Sequence, residues 1–356
     1  MFFSRRKSFR VTPCQAGRPR RSLLLESLED RTLLSLQTGT ILVANSPSVQ
    51  GQSTFDGLEA TQTGVIAIDP TAPISSNQSA FSTRQGLMST PVAVTQDGNG
   101  NFFVADRTAF GQGAGGVIKV NPVSGAESVI AANQSLMAGP AGMVYVNGPQ
   151  PMIYVICSGT AGFQTQIEGV SPKQKAPDLV VINPNASAAD IAAGNNHSQT
   201  LVYGPPLPSQ NVFKDPRGIA TDGVSNLYVV DAGAGTPAIW DFNLTQNPIT
   251  PTPILTGTPL LTNPMGIVTD IDGKLIVLNG DGSLVRVDPS TGTQTMYSTT
   301  PVAGARSLTV SPVDGTIYVD ALDSSSSTAS IWSFPYRQNA TTSGMPMTVV
   351  PSNLLS

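Results

Sequence analysis

The sequence has few charged residues, few cysteines and a single histidine. Charged residues make up 12% of the 356 residues, and apolar residues make up 40%. Helical bundles are rich in Glu, Lys, Ala and Leu, so this composition argues against that class. No stretch approaches the ~20 consecutive apolar residues of a transmembrane helix. We therefore expect no membrane-spanning segment.

The cysteines and the histidine predict no metal centre or catalytic centre. Cys14 lies in a basic head segment and Cys157 in a predicted strand, without any Cys-x-x-Cys spacing. His197 lies in an Asn-Asn-His-Ser stretch that we interpret as a surface loop. Catalysis by a Ser-His-Asp or Cys-His arrangement needs partners for this histidine that the sequence does not identify. The sequence therefore assigns no catalytic residue.

The chain is rich in turn-forming residues, and its charge is distributed unevenly, with a basic head and an acidic remainder. It contains 34 Gly and 29 Pro, which punctuate turns and favour many short strands. Residues 1–31 carry eight Lys/Arg and three Asp/Glu, whereas the remainder carries eleven Lys/Arg and twenty Asp/Glu. An acidic body repels phosphate backbones, so we expect no nucleic-acid partner.

The head segment contains an unusual motif at residues 25–35, Leu-Glu-Ser-Leu-Glu-Asp-Arg-Thr-Leu-Leu-Ser, after an Arg-rich stretch. The motif resembles the short N-terminal motif of planctomycete extracellular proteins. This resemblance implies an extracellular or cell-envelope destination, and we interpret residues 1–37 as an export or leader-like segment. A brief amphipathic helix before the main domain is the alternative.

Residues 38–356 contain a repeated pair of predicted strands. In four copies, a Pro or Ala that begins the first strand lies 15 residues before an Asp or Asn that ends the second. The copies run from Pro91 to Asp106, Pro216 to Asp231, Pro264 to Asn279 and Ala305 to Asp320. A fifth copy, which begins at Pro140, has two extra residues in its turn. An Asp-Gly pair between the strands of each of the four copies indicates a tight hairpin turn.

A third predicted strand follows in six places, and a weaker fourth strand follows it. The third strands lie at residues 64–70, 116–122, 178–184, 238–243, 283–289 and 330–335. They are short, rich in Val, Ile and Phe, and bounded by turn residues, which favours strands over helices. Four antiparallel strands repeated six times predict an all-β, six-bladed β-propeller of four-stranded antiparallel blades. The predicted units are 38–90, 91–139, 140–215, 216–263, 264–304 and 305–356.

The order of Pro-x-Gly-Ile, an Asp-Gly turn, Leu-Tyr-Val-Val-Asp and Val-x-Val-Asp-Pro resembles the NHL-repeat family over about residues 38–356. Two departures from the repeat stand out. The first unit lacks an obvious inner strand, so the first blade could be incomplete, and Leu33–Leu36 is the candidate for that strand. The third unit is longer at about residues 158–177 and 185–215. Insertions of this kind emerge as loops on one face, often the binding face.

The repeated Asp and Asn residues at the ends of the second strands are the candidate metal ligands. They are Asp106, Asp231, Asn279 and Asp320, with Asn45 as a further counterpart. Side-chain oxygens that converge near an axis could bind Ca²⁺. Resemblance to sugar-lactonase-like propellers implies a metal held by Glu, Asn and Asp. Outside the head, however, the glutamates fall in predicted loops or outer strands. The alternative, which we favour, is that these residues cap the loops that follow each strand.

We therefore predict a non-catalytic extracellular or cell-envelope propeller, a binding or scaffold module whose ligand surface lies on one face and includes the third-unit loops. The expected partner is a protein or a glycan, the expected oligomeric state is a monomer, and no cofactor is expected, with Ca²⁺ left open. The alternative is a metal-dependent hydrolase or lyase of the sugar-lactonase or streptogramin-lyase type.

Overall fold

A computed structural model describes the chain over residues 40–45, 64–69, 78–80, 86–110, 115–132, 136–159, 176–193, 198–204, 210–256, 260–298, 300–323, 328–336 and 347–348. The predicted inner strand at Leu33–Leu36, the single histidine and most of the loop at about residues 158–177 lie outside these described residues. No described helix is long and apolar enough to cross a membrane.

The described strands form six antiparallel sheets, numbered here in chain order. The first sheet has β1 (Ile41–Asn45), β2 (Gly64–Ile68) and β3 (Gln78–Ala80). The second sheet has β4 (Pro91–Gln96), β5 (Phe102–Asp106), β6 (Gly116–Val120) and β7 (Glu127–Ala132). The third sheet has β8 (Pro140–Val146), β9 (Met152–Cys157), β10 (Asp178–Ile182) and β11 (Gln199–Tyr203), with the short helix α1 (Ala188–Ala193) between β10 and β11.

The other three sheets repeat the four-stranded pattern. The fourth sheet has β12 (Pro216–Thr221), β13 (Asn226–Asp231), β14 (Ala238–Asn243) and β15 (Pro251–Thr256). The fifth sheet has β16 (Pro264–Thr269), β17 (Leu275–Asn279), β18 (Leu284–Val287) and β19 (Gln294–Ser298). The sixth sheet has β20 (Ala305–Val310), β21 (Ile317–Asp323), β22 (Thr328–Phe334) and β23 (Met347–Thr348).

The hydrophobic core lies between neighbouring sheets, because a sheet with two apolar faces must cover both. The second strands are buried along their whole length in the second and fifth sheets. Ile331 and Tyr318 of the sixth sheet pack with Ile41 and Val43 of the first, so the described sheets close into a ring. The protein is an all-β β-propeller with four-stranded antiparallel blades.

The first strand of each four-stranded sheet is here called the inner strand, and from the second to the fifth sheet it runs beside the inner strand of the next sheet. A Cβ added at Gly218 would lie 3.2 Å from the Cα of Gly266 in the next inner strand. A Cβ added at Gly142 would lie 3.3 Å from the Cα of Gly218. This close approach of neighbouring backbones explains why the Pro-x-Gly pattern recurs at the start of the inner strands.

The blade count differs from the prediction. The structure contains five four-stranded blades rather than six, since the described part of the first sheet has three strands. In register, β1 is a second strand. Asn45 pairs with Gly64 of β2 in the same way that Asp106 pairs with Gly116 of β6. The described residues thus include no inner strand in the first sheet.

The sequence predicts that the insertions of the third unit emerge on one face, but they fall in connections at both ends of the sheet: 158–177 and 204–215 at one end and 183–198 at the other. In an antiparallel sheet with strands in chain order, the first and third connections lie at one end, and the second and fourth lie at the other. The connection at about 158–177 is a second connection. The segment 183–198, which carries α1, is a third connection and so lies at the opposite end from it.

Candidate functional site

Asp106 holds the loop that precedes its own inner strand. One carboxylate oxygen, Oδ2, accepts hydrogen bonds from the backbone N–H groups of Ser89 (2.6 Å) and Thr90 (2.9 Å). The other, Oδ1, accepts one from the backbone N–H of Thr108 at 2.9 Å. Asp106 is fully buried. Its oxygens therefore stabilise two loops at one end of the sheet, as a capping residue would.

Asp231 repeats this arrangement in the fourth sheet. Its carboxylate accepts hydrogen bonds from the backbone N–H groups of Lys214 (2.7 Å), Asp215 (2.9 Å) and Gly233 (2.8 Å). Burial raises the pKa of Asp231, although the backbone hydrogen bonds from Lys214, Asp215 and Gly233 partly offset this effect.

Asn279 does the same in the fifth sheet with an amide. Its Oδ1 accepts a hydrogen bond from the Thr262 N–H at 3.0 Å, and its Nδ2 donates to the Leu260 carbonyl at 2.8 Å. An amide and a carboxylate thus perform the same task at equivalent positions. This supports the capping interpretation of the repeated Asp and Asn residues. Among the described residues, no three His, Cys, Asp or Glu side chains are grouped to hold a metal ion.

Asp320 is not equivalent to these residues, and the sequence alignment that grouped them was wrong at this position. Strand β20 pairs with β21 from Val310 to Ile317, a separation of seven residues, whereas Thr221 to Leu227 in the fourth sheet spans six. The extra turn residue shifts β21 by one position. Asp320 therefore matches Val230, and Ala321 matches Asp231. A one-residue shift places a strand side chain on the opposite face of the sheet.

The central channel is the cavity that receives Asp320. It has a volume of about 340 Å³ and is lined by the five inner strands, by β1 and by residues of β21 and β22. Asp320 is partly buried there, and Arg306 also lines the channel. Burial raises the pKa of Asp320 to about 6, although the charge of Arg306 opposes the shift. An ionisable group with a strongly perturbed pKa in a cavity is a candidate functional residue.

A second cationic side chain of the channel is already paired. The guanidinium of Arg217 donates two hydrogen bonds to the carboxylate of Asp215, from Nε at 2.7 Å and from Nη2 at 2.6 Å. This bidentate pair raises the pKa of Arg217, with burial acting in the opposite direction. This pair was not predicted from the sequence, although the order Asp-Pro-Arg at the start of an inner strand is a usable signal for it.

A second surface lies outside the channel, at the end of the ring where the first and third connections of each sheet turn. We name it the hairpin face. It comprises the turns at residues 97–101, 121–126, 222–225, 270–274 and 311–316. Four of the most exposed large apolar side chains in the described part of the chain lie on it: Val123, Val224, Ile271 and Val313, which are 67%, 79%, 52% and 62% exposed. Single exposed apolar residues are ordinary, but these four share one end of the ring, which makes that end a candidate contact surface.

Carboxylates surround these apolar residues. Asp222 accepts backbone hydrogen bonds from Val224, Ser225 and Asn226, each at 2.9 Å. Burial opposes ionisation of Asp222, but these bonds and one from the Asn226 side chain outweigh it, and its pKa is lowered. A hydrogen bond from Ser311 and others nearby lower the pKa of Asp314. The hairpin face therefore stays negatively charged at neutral pH.

An ion-pair network stiffens the same face. Arg286 lies 2.7 Å from Asp270 and 2.9 Å from Asp272, and Tyr336 also donates to Asp272. The adjacent pair of Lys274 and Asp288 is 2.7 Å apart. These cations neutralise two of the three carboxylates that they contact, so the negative charge of the face toward a partner comes from the remaining carboxylates, such as Asp222 and Asp314.

Solved structures share this fold. A chain of a nidogen/laminin complex matches with a TM-score of 0.57 and 13% identity, over 83% of this chain and 89% of that chain. TolB from Acinetobacter baumannii matches with a TM-score of 0.54 and 11% identity, over 83% of this chain and 60% of that chain. A putative 6-phosphogluconolactonase from Bacteroides uniformis matches with a TM-score of 0.50 and 10% identity, over 87% and 81%.

These identities establish the β-propeller fold and nothing finer. No family model matches the chain, and no curated protein matches it. The fold is shared by a chain of a nidogen/laminin complex and by a putative lactonase, so fold alone does not separate a binding module from an enzyme.

Proposed function

We propose that the protein is a non-catalytic binding or scaffold propeller of the NHL-repeat type, acting outside the cell or in the cell envelope. Its docking surface in this proposal is the hairpin face. The observation that carries the proposal is the set of exposed Val and Ile side chains on one acidic end of the ring. Exposed aliphatic side chains beside carboxylates suit a protein partner better than a glycan.

The capping role of the repeated Asp and Asn residues supports this choice over an enzyme. In three sheets the oxygens of these side chains accept hydrogen bonds from backbone N–H groups of the neighbouring loops. Residues that recur at equivalent positions of several repeats usually serve the fold, whereas sites break the repeat. The proposed partner is therefore recognised by the surface of the hairpins rather than by a ring of carboxylates.

The test is a comparison of two variants of the full chain in capture of proteins from the extracellular fraction of the source cells. Val224→Ser, Ile271→Ser and Val313→Ser together remove three of the four exposed apolar side chains of the hairpin face. Ala303→Asp is the matched control, because Ala303 is exposed at the opposite end of the ring. We expect the triple variant to lose proteins that the wild type and the control retain. Identical capture by all three would refute the hairpin face as the docking surface.

A metal-dependent hydrolase or lyase is the second candidate, favoured by one observation. Asp320 lies in the channel beside Arg306 with a pKa raised by burial to about 6, which suits proton transfer near neutral pH. Calorimetric titration of the wild type and of Asp320→Asn with Ca²⁺ tests it. Binding heat that is lost in the variant would support the enzyme, whereas no heat in either protein would dispose of it.

A further inference from the structure

Negative charge is concentrated on the hairpin face. The five turns that define this face contain five carboxylates and one cation, Lys274. The carboxylates are Asp97, Asp222, Asp270, Asp272 and Asp314. The cations described at or near the opposite end of the sheets are Arg107, Lys214, Arg217 and Arg306. A surface with an excess of one charge attracts partners of the opposite charge and repels those of the same charge.

Three of these carboxylates, Asp97, Asp222 and Asp314, have no Lys or Arg within ion-pair distance in the described part of the chain. Neutral groups hold them in place instead. Asp97, for example, accepts hydrogen bonds from the backbone N–H groups of Asn99 at 2.9 Å and Asn101 at 2.8 Å. These bonds fix the carboxylates without cancelling their charge. An incoming cation therefore loses less free energy to the ordering of its partner than at a mobile side chain.

Beside these charges, the hairpins of the fifth and sixth sheets meet in an apolar platform. A Cβ added at Gly315 would lie 2.9 Å from Cδ1 of Ile271 and 3.0 Å from Cγ of Tyr336, so both side chains pack against the Gly315 backbone. Val313 lies in the same turn as Gly315. The guanidinium of Arg286 lies 6.0 Å from the ring centroid of Tyr336 and stabilises its position. We call Ile271, Val313 and Tyr336 the apolar platform.

We propose that the partner of the hairpin face is a basic protein segment, which combines Lys or Arg side chains with aliphatic side chains. This inference rests on the proposed function, because it concerns the same surface. An aliphatic side chain of the partner packs on the apolar platform, while its cations pair with Asp314 and Asp222. An acidic or phosphorylated partner would meet like charge at the same carboxylates, which costs binding free energy.

Binding of synthetic peptides to the full chain, measured by fluorescence anisotropy, tests the charge of the partner. The probes are three labelled peptides in which Leu alternates with Lys, with Gln or with Glu. We expect the Lys-Leu peptide to bind most tightly and the Glu-Leu peptide least tightly. The affinity of the Lys-Leu peptide should fall by at least about threefold between ~0.05 M and ~0.3 M NaCl, because salt screens exposed charges. The affinity of the Gln-Leu peptide should change little.

Matched variants locate the binding. Asp314→Asn keeps an oxygen for the turn but removes the charge, and it should weaken the Lys-Leu peptide by about two- to fivefold while sparing the Gln-Leu peptide. Asp281→Asn is the control, because Asp281 is exposed at the opposite end of the ring and undergoes the same change of charge. Ile271→Ser removes an aliphatic side chain of the apolar platform and should weaken both peptides.

The inference and the proposed function fail in different ways. Equal binding of the Lys-Leu and Glu-Leu peptides, or equal losses in Asp314→Asn and Asp281→Asn, would overturn the basic partner. If the Gln-Leu peptide bound as tightly as the Lys-Leu peptide and still lost affinity in Ile271→Ser, the docking surface would stand and only the charge of its partner would be wrong. No binding of any peptide, or no effect of Ile271→Ser, would contradict both. Self-association in sedimentation velocity that Ile271→Ser abolishes would assign the surface to a second copy of the chain instead.

Discussion

Replacement of Asp231 by Ala tests whether the repeated Asp residues exist for the fold. The change removes the acceptor for the backbone N–H groups of Lys214, Asp215 and Gly233. Hydrogen bonds to a charged group contribute about 1.5–3 kcal/mol each. The full sum is not lost, because burial of the carboxylate is itself costly, as its raised pKa shows, and because water can reach part of the loop. We expect a loss of about 3–4 kcal/mol in the free energy of unfolding.

Asp231→Asn should cost much less than Asp231→Ala. The fifth sheet already uses Asn279 at this position, where one amide oxygen and one amide nitrogen hold the preceding loop. The Asn variant keeps one acceptor and loses the other, which corresponds to about 1–2 kcal/mol. The order Asp, then Asn, then Ala is therefore the prediction, and it does not depend on the absolute values.

Urea unfolding gives the stabilities, and hydrogen exchange of the peptide that contains residues 210–216 reports on the loop directly. The Ala variant should exchange faster at Lys214 and Asp215 in particular. Asp314→Ala is the control, because Asp314 is exposed and water can replace its hydrogen bonds from the Thr316 N–H, at 3.0 Å, and from Ser311. If Asp231→Ala were no less stable than the control, or if Asn were as damaging as Ala, the carboxylate would have another role than capping.

Three further changes probe other parts of the molecule. The pKa of Asp320 is raised from 3.8 to about 6, so its contribution to stability is present below pH ~4 and is lost as the pH rises through ~6. Asp320→Asn should therefore match the wild type in urea unfolding at pH ~4 and be more stable by about 1–2 kcal/mol at pH ~7.5. Gly218→Ala should lower the unfolding midpoint more than Gly266→Ala, because the added Cβ meets backbone atoms at 3.2 Å in the first and the tip of Leu308 in the second. Arg286→Met leaves the buried Asp270 carboxylate unpaired and should cost about 3 kcal/mol in urea unfolding, whereas Lys274→Met at an exposed pair should change little.

The strands were predictable because their pattern is local. Short apolar segments bounded by Pro, Asp-Gly and Asp recur at a nearly constant spacing, and each became a strand at the expected place, as β12 and β13 illustrate. Sheet pairing follows from the same spacing, since consecutive strands joined by tight turns pair antiparallel. The capping role of Asp231 was also within reach, because Asp at the end of a strand commonly caps the following loop.

The position of Asp320 was not predictable by counting from the start of the inner strand. The distance from Ala305 to Asp320 equals that from Pro216 to Asp231, yet one residue moved from the strand into the turn. Because successive side chains of a strand point to opposite faces of the sheet, a shift of one residue moves each side chain to the other face. Counting from the Asp-Gly turn does not settle the position either, because Asp231 follows Gly223 by eight residues and Asn279 follows Gly273 by six, so that Gly315 points to Asp323 by the first spacing and to Ala321 by the second.

Where the repeat breaks is therefore where function should be sought. The side chains of Asp106, Asp231 and Asn279 form hydrogen bonds with backbone groups of the neighbouring loops. These regular positions are therefore poor candidates for binding a ligand or for catalysis. Asp320 breaks the repeat by placing a carboxyl group where the fourth sheet has Val230, and it does so beside the edge of β1 that lacks an inner strand among the described residues. Evolution would remove a costly carboxyl group at an apolar position unless it served a purpose or were easily solvated.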